Sequence, residues 1–194
     1  SVAASMVFSE LRKLGINPIR CGVGLLNKES RKAQLYSATS SDDADSLSLV
    51  GWVMLKGHPV LENTYEAWLK KEDYYPELTG AQLKSYYENL LGGLSLPIVP
   101  NSDTGEKQYG HFFSFSAGCL YTWSDRHSND SEIRILKRFA GIIDLTFRRY
   151  LDLQKAEANA KEAKIEASLE RVRGKAMSMH SSRDLADTIE VFYH

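Results

Sequence analysis

From Asp130 onward the chain meets no proline, and no glycine except Gly141, until Gly174. Proline and glycine are the residues that most often end helices. The stretch therefore predicts one helix, capped by Asp130 or Ser131 and running to about Ser178. At 1.5 Å rise per residue it would reach roughly 70 Å, more than a domain of about 150 residues can cover. Its first turns are apolar enough to pack both on a sheet and on a partner, through Ile135, Leu136, Phe139, Ile142, Ile143, Leu145, Phe147 and Tyr150. Beyond Tyr150 the chain turns rich in Ala, Glu and Lys. There Ile165, Leu169, Val172, Ala176 and Met179 step by four, three, four and three residues, the a/d spacing of a coiled coil. A lone helix would leave that stripe in water, so the spacing predicts a homodimer through this helix. Phe139, Ile142 and Leu153 carry the seam nearer the domain, in a different phase. The small side chains of Ala156 to Ala163 lie between the two phases and would hold the paired helices weakly.

Upstream, the periodicities predict an α+β domain over 1–150, an antiparallel sheet flanked by helices. Val2, Met6, Val7, Leu11 and Leu14 form a helical stripe that Gly15 ends. Ile19, Cys21, Val23 and Leu25 alternate with Arg20, Gly22 and Gly24, the pattern of a strand with one buried face. Asn27 to Arg31 is a polar turn, Ala33 to Ala38 a second strand, and Thr39 to Asp45 a loop. Leu47 to Leu55 is a third strand, with Leu49, Val53 and Leu55 on one face and Val50, Trp52 and Met54 on the other. Asn63 to Glu72 reads as a short helix. Thr79 and Gln82 are spaced as a capping box opening a second one, which carries Leu83, Tyr86, Tyr87, Leu90 and Leu91 and stops at Gly92-Gly93. Leu96 to Val99 begins the returning sheet, Asn101 to Gly105 is a turn, and His111 to Ser116 with Cys119 to Ser124 form a hairpin around Ala117-Gly118.

Composition excludes several classes. At 43% hydrophobic and 25% charged the chain is an ordinary globular one. A net charge of −1 lacks the basic excess of a nucleic-acid binder. No apolar run is long enough to span a membrane, and the first residues lack the pattern of a signal peptide. Two distant cysteines, Cys21 and Cys119, each in an apolar strand, fit a reducing compartment and hence the cytoplasm. Ser181-Ser182-Arg183-Asp184 reads as another capping box before Leu185, Ala186, Ile189, Val191 and Phe192, so a new domain is expected over 181–194 after a linker at 151–180. With no initiating Met, the chain reads as a fragment of something larger.

Three stretches are specific enough to carry a resemblance: Ile135 to Ala140 with Asp144 to Thr146, Leu151 to Glu157, and Leu169 to Arg173 with Ala176 to His180. Together they resemble the segment that joins a GAF domain to its linker in multidomain sensor histidine kinases. The likeness is specific over Ser131 to His180 and architectural over Ser1 to Asp130. It implies a GAF-like sensor domain, a signalling helix and a second sensory domain, with the kinase core beyond this chain. A PAS domain is the nearest structural rival, but it usually lacks a leading helix packed beside the closing one. The resemblance implies a two-component signalling function and no enzymatic activity in this chain. Asn27-Lys28 begins like the signature of cyclic-nucleotide-binding GAF domains, but no F-x-x-x-D-E follows, so it reads as a turn. Neither cysteine has the histidine neighbour of a bilin attachment site.

Candidate chemistry is sparse. His111, Ser114, Ser116 and Asp125 are close in sequence, but no G-x-S-x-G elbow accompanies them, and no catalytic residue is assigned. His58, His111, His127 and His180 share no metal-ligand spacing, so no metal and no cofactor are expected. An aromatic set stands out, comprising Trp52, Tyr65, Trp68, His111, Phe113, Phe115 and Tyr121, with Tyr74 and Tyr75 beside it. Either it lines a pocket for an unidentified small molecule or it fills the core. The other functional class left open is a small α+β enzyme, an isomerase or hydrolase, using an aromatic-lined pocket.

Overall fold

The computed structural model describes residues 9–38, 48–92 and 107–192, and side chains for 9–37, 51–90, 92 and 107–178. Expectations about Val2, Met6 and Val7, the 39–45 loop, the strand at 96–99, the turn at 101–105 and the faces of Leu49 and Val50 lie outside these. The chain divides into two compact units, Ser1–Phe147 and Arg148–His194. Each is described by itself.

The first unit is α+β. Helical residues 9–13 (α1) end at Gly15, as the sequence predicts. Six strands follow in one antiparallel sheet: β1 (Arg20–Asn27), β2 (Lys32–Ala38), β3 (Ser48–Met54), β4 (Glu77–Thr79), β5 (Lys107–Phe115) and β6 (Gly118–Ser124). Helices α2 (Pro59–Lys70) and α3 (Gly80–Leu91) come between β3 and β5, and α4 (Asp130–Phe192) closes the chain. The sheet order is β3-β2-β1-β6-β5-β4. β1 and β6 are therefore neighbours, with Val23 opposite Leu120. The β1–β2 turn is held by Asn27, whose Oδ1 accepts from the Ser30 N–H at 2.8 Å and from its hydroxyl at 2.9 Å. Between β2 and β3, Leu35 pairs with Gly51 but Tyr36 with Leu49, so Val50 is an extra residue in a bulge. Gly51 takes φ of 146° there, a conformation open to glycine alone.

The central strands β1, β5 and β6 are buried on both faces, not one. Cys119, Tyr121 and Trp123 point toward α2 and α3, where they meet Leu61, Tyr65, Tyr86, Tyr87 and Leu90. The alternate residues Cys21, Val23, Phe113, Phe115 and Leu120 meet Leu11 of α1 and Leu136 and Ala140 of α4. The sheet is thus the middle of three layers, and the polar half of the β1 pattern, Arg20 included, lies inside. Cys21 and Cys119 fall on opposite sides of it, and burial pushes both thiols up to about 12.

One helix start and two caps differ from expectation. α2 begins at Pro59, four residues before the predicted Asn63, with His58 as its cap: His58 Nδ1 accepts from the Val60 N–H at 3.2 Å. Proline at the first helical position was the available signal. Thr79 stands at the cap position of α3 but makes no side-chain cap bond; it is also the last residue of β4, paired with Lys107. α4 is capped by Asn129 rather than Asp130 or Ser131. Asn129 Oδ1 accepts from the Glu132 N–H at 2.9 Å, and Glu132 Oε2 accepts from the Asn129 N–H at 2.9 Å. Arg126 clamps Glu132 through two further bonds of 3.0 and 2.6 Å. At the other end, α4 runs through Gly174 and through Ser181 to Phe192, so the expected break before 181 is absent. A capping-box pattern competes there with the preceding turns, and continuing a helix adds one hydrogen bond per residue while nucleating a new one is unfavourable.

Candidate functional site

The aromatic set does not converge. Tyr65 and Tyr121 lie on the α2/α3 side of the sheet, with Trp68 packed at the edge of that core and donating its Nε1–H to the Phe115 carbonyl at 3.0 Å. Phe113 and Phe115 lie on the opposite side, against α1 and α4. His111 stacks on Phe113 at 6.3 Å and meets the edge of Tyr75 at 5.7 Å. Trp52 is on the outer strand β3 and is 51% exposed. Alternation keeps His111, Phe113 and Phe115 on one face of β5, whereas Tyr121 pairs with Phe112 and so points to the other.

A cavity of about 40 Å3 does exist, on the α2/α3 side of the sheet. Of the predicted set only Tyr121 lines it. Its other polar walls are Arg20, Ser37, Thr64 and Tyr86, with Phe112, Trp123, Cys119 and aliphatic side chains completing it. Gly24 gives it room, since a side chain there would come within 3.2 Å of Leu35. Arg20 is 8% exposed. Its guanidinium lies over the Tyr87 ring, 4.6 Å from the centroid, and donates to the Tyr87 hydroxyl. That hydroxyl donates in turn to Gln108 Oε1 at 2.6 Å. Burial pushes Tyr121 up to about 12 and raises Tyr86 further, against the pull of the Arg20 charge on both. Sequence reasoning missed Arg20, Tyr86, Tyr87 and Gln108. The available signal was a cation at an alternating position of a strand that is otherwise apolar.

The residues weighed for nucleophilic chemistry serve structural bonds. The Ser116 hydroxyl donates to Asp144, which also accepts from the Ser116 N–H at 3.0 Å, so α4 caps the β5–β6 turn. The Ser114 hydroxyl donates to the Glu72 carbonyl at 2.7 Å. Among the described residues no group of three or more His, Cys, Asp or Glu could hold a metal ion.

Two histidines are held neutral. His58 is a cap acceptor, and burial lowers its pKa below 6.5. His111 is 4% exposed, its Nδ1 has no hydrogen-bond partner, and the facing Thr122 Oγ1 has none either. Burial, then the nearby His127, lower its pKa, against the pull of Glu132. A depressed folded pKa means that the unfolded chain takes up protons first as pH falls. The stabilisation is thus complete above 6.5 and is lost as pH falls through the folded values. The unfolding midpoint should drop between pH 7.5 and 5.5, and less steeply in His111→Phe. A midpoint that is flat or rises over that interval would contradict this.

In the second unit every described side chain from Arg148 to Ser178 is exposed. Leu153, Ile165, Leu169 and Val172 are 44–68% exposed, and Ala176 is exposed with them. Ile165, Leu169 and Val172 share a shallow groove flanked by Lys161 and Lys164. Of the domain-proximal seam, Ile142 is exposed, whereas Phe139 packs on the α1/α4 core. Met179 lies outside the described side chains. No helix among the described residues is long and apolar enough to cross a membrane.

Comparison with protein-family models, curated proteins and solved structures finds no match to this chain.

Proposed function

We propose that this chain is a regulatory sensor and dimerisation module of a cytoplasmic signalling protein, a two-component sensor histidine kinase. In this reading the first unit is a GAF-like sensor without catalytic activity, metal or covalent chromophore. Its closing helix pairs with the same helix of a second copy and passes a signal to sensory and kinase domains of the same polypeptide. The observation that carries the reading is the exposed stripe of Ile165, Leu169 and Val172 at heptad spacing. Apolar side chains repeated along one line of a helix leave water when a like helix lies beside them. The linker segment's resemblance to that of sensor kinases supplies the signalling context.

Light scattering of the whole chain against one ending at Tyr150 tests the reading. A dimer is expected for the whole chain at tens of micromolar, and a monomer for the shorter one. A monomeric whole chain at that concentration would sink it.

A further inference from the structure

We propose that the cavity beside Arg20 binds a small monovalent anion of about one to four non-hydrogen atoms, such as a halide, nitrate or a short carboxylate. Arg20 is 92% buried, by subtraction from its 8% exposure, and forms no ion pair with any carboxylate among the described residues. Removing a charge from water is costly unless a counter-charge or several hydrogen bonds replace the water. The Tyr87 ring and hydroxyl supply part of that replacement. The hydroxyl occupies only one of the five guanidinium N–H donors, and the cavity adjoins the same side chain.

The size and lining of the cavity set the ligand class. About 10–15 Å3 of such space is enough for one water molecule, so about 40 Å3 holds roughly three, room for a small ion and for no nucleotide or sugar. Among the described residues Arg20 is the sole cation on its wall, and most of the rest is aliphatic or aromatic. A divalent anion such as sulfate would carry a second charge into that apolar surface with nothing to meet it. A single negative charge is matched.

This names the ligand class of the sensor proposed above and rests on that reading only in treating the ligand as a signal. Binding and dimerisation are measured separately, so either can fail alone. The test is thermal unfolding of the whole chain in sodium chloride, nitrate, formate and acetate. Sodium gluconate, too large for the cavity, holds ionic strength constant, and sulfate serves as the divalent control. At least one small anion should raise the midpoint saturably, by about 5 °C at a hundred times its Kd. In Arg20→Met the rise should vanish, with the anion-free midpoint no lower than in the unsubstituted chain, because an unmatched buried charge has gone. No saturable rise with any of the four anions overturns the proposal. So does a rise retained in Arg20→Met or equalled by sulfate. If Arg20→Met does not fold, backbone amide shifts of the unsubstituted chain during the titration decide. Changes centred on Arg20, Ser37 and Tyr121 support the site, and changes confined to exposed surface overturn it.

Discussion

Replacing Gly118 by alanine is expected to remove a large part of the chain's stability. Gly118 opens β6, and an added Cβ there would stand 1.8 Å from the Gly24 carbonyl oxygen and 2.9 Å from its carbon. Both are backbone atoms, so no rotamer change relieves the clash. Gly24 cannot retreat, because β1 is paired on one side to β2 and on the other to β6. The remaining response is separation of β1 from β6, the central pairing on which both cores are built. Steric conflicts of this kind fall among the largest single-substitution effects, above about 4 kcal/mol, against a total stability of about 5–15 kcal/mol. Gly174→Ala is the matched control. Nothing lies within 4 Å of its added Cβ, and α4 continues through it, so alanine should stabilise by up to about 1 kcal/mol. Denaturant unfolding of the three chains checks both signs. A Gly118→Ala chain within about 1 kcal/mol of the parent would mean the β1–β6 register is wrong.

The double substitution Leu169→Asp with Val172→Asp should abolish self-association while leaving the first unit folded. The two side chains are 59% and 68% exposed in the single chain, so neither supports its fold. In the proposed dimer four such side chains would be buried, each contributing about 1.5–3 kcal/mol. Aspartates in their place would bring carboxylates into an apolar seam. Even half of the lost burial corresponds to more than about a hundredfold in the dissociation constant. Glu170→Ala with Arg173→Ala alters a charge pair elsewhere on the same turns and should leave the mass unchanged. Sedimentation at several concentrations distinguishes the cases. Equal association by all three chains would show that the stripe is not the interface.

Much of the fold is legible because its signals are local. The strand at Arg20–Asn27, the turn at Asn27, the hairpin of β5 and β6 and the absence of proline after Asp130 each depend on residues a few positions apart. Errors arose where two local signals compete. Thr79 and Gln82 have the spacing of a capping box, and Thr79 does stand at the cap position, but its side chain makes no cap bond. Asp130 and Ser131 are both good caps, but Asn129 wins because Glu132 can answer it and is itself held by Arg126. For the aromatic set, alternation keeps Phe113 and Phe115 on one face of β5, and the pairing of Tyr121 with Phe112 sends Tyr121 to the other. Tyr121 and Phe113 are on neighbouring strands but point into different cores.

What the sequence by itself determined is the inventory: an α+β domain, its main strands, and a long helix bearing an unpaired apolar stripe. These follow from periods of two and of about three and a half residues, which short stretches of chain express whatever surrounds them. Only the tertiary structure decided which strands pair and what covers each face. β1 meets β6 across roughly a hundred residues of chain, with Val23 opposite Leu120, and no local pattern encodes that distance. The same pairing, with helices laid on both sides of the sheet, takes Arg20 from the polar face of an apparently half-buried strand and places it against a cavity. Burial is a property of what packs on a residue, and for Arg20 that is Tyr87, 67 positions away.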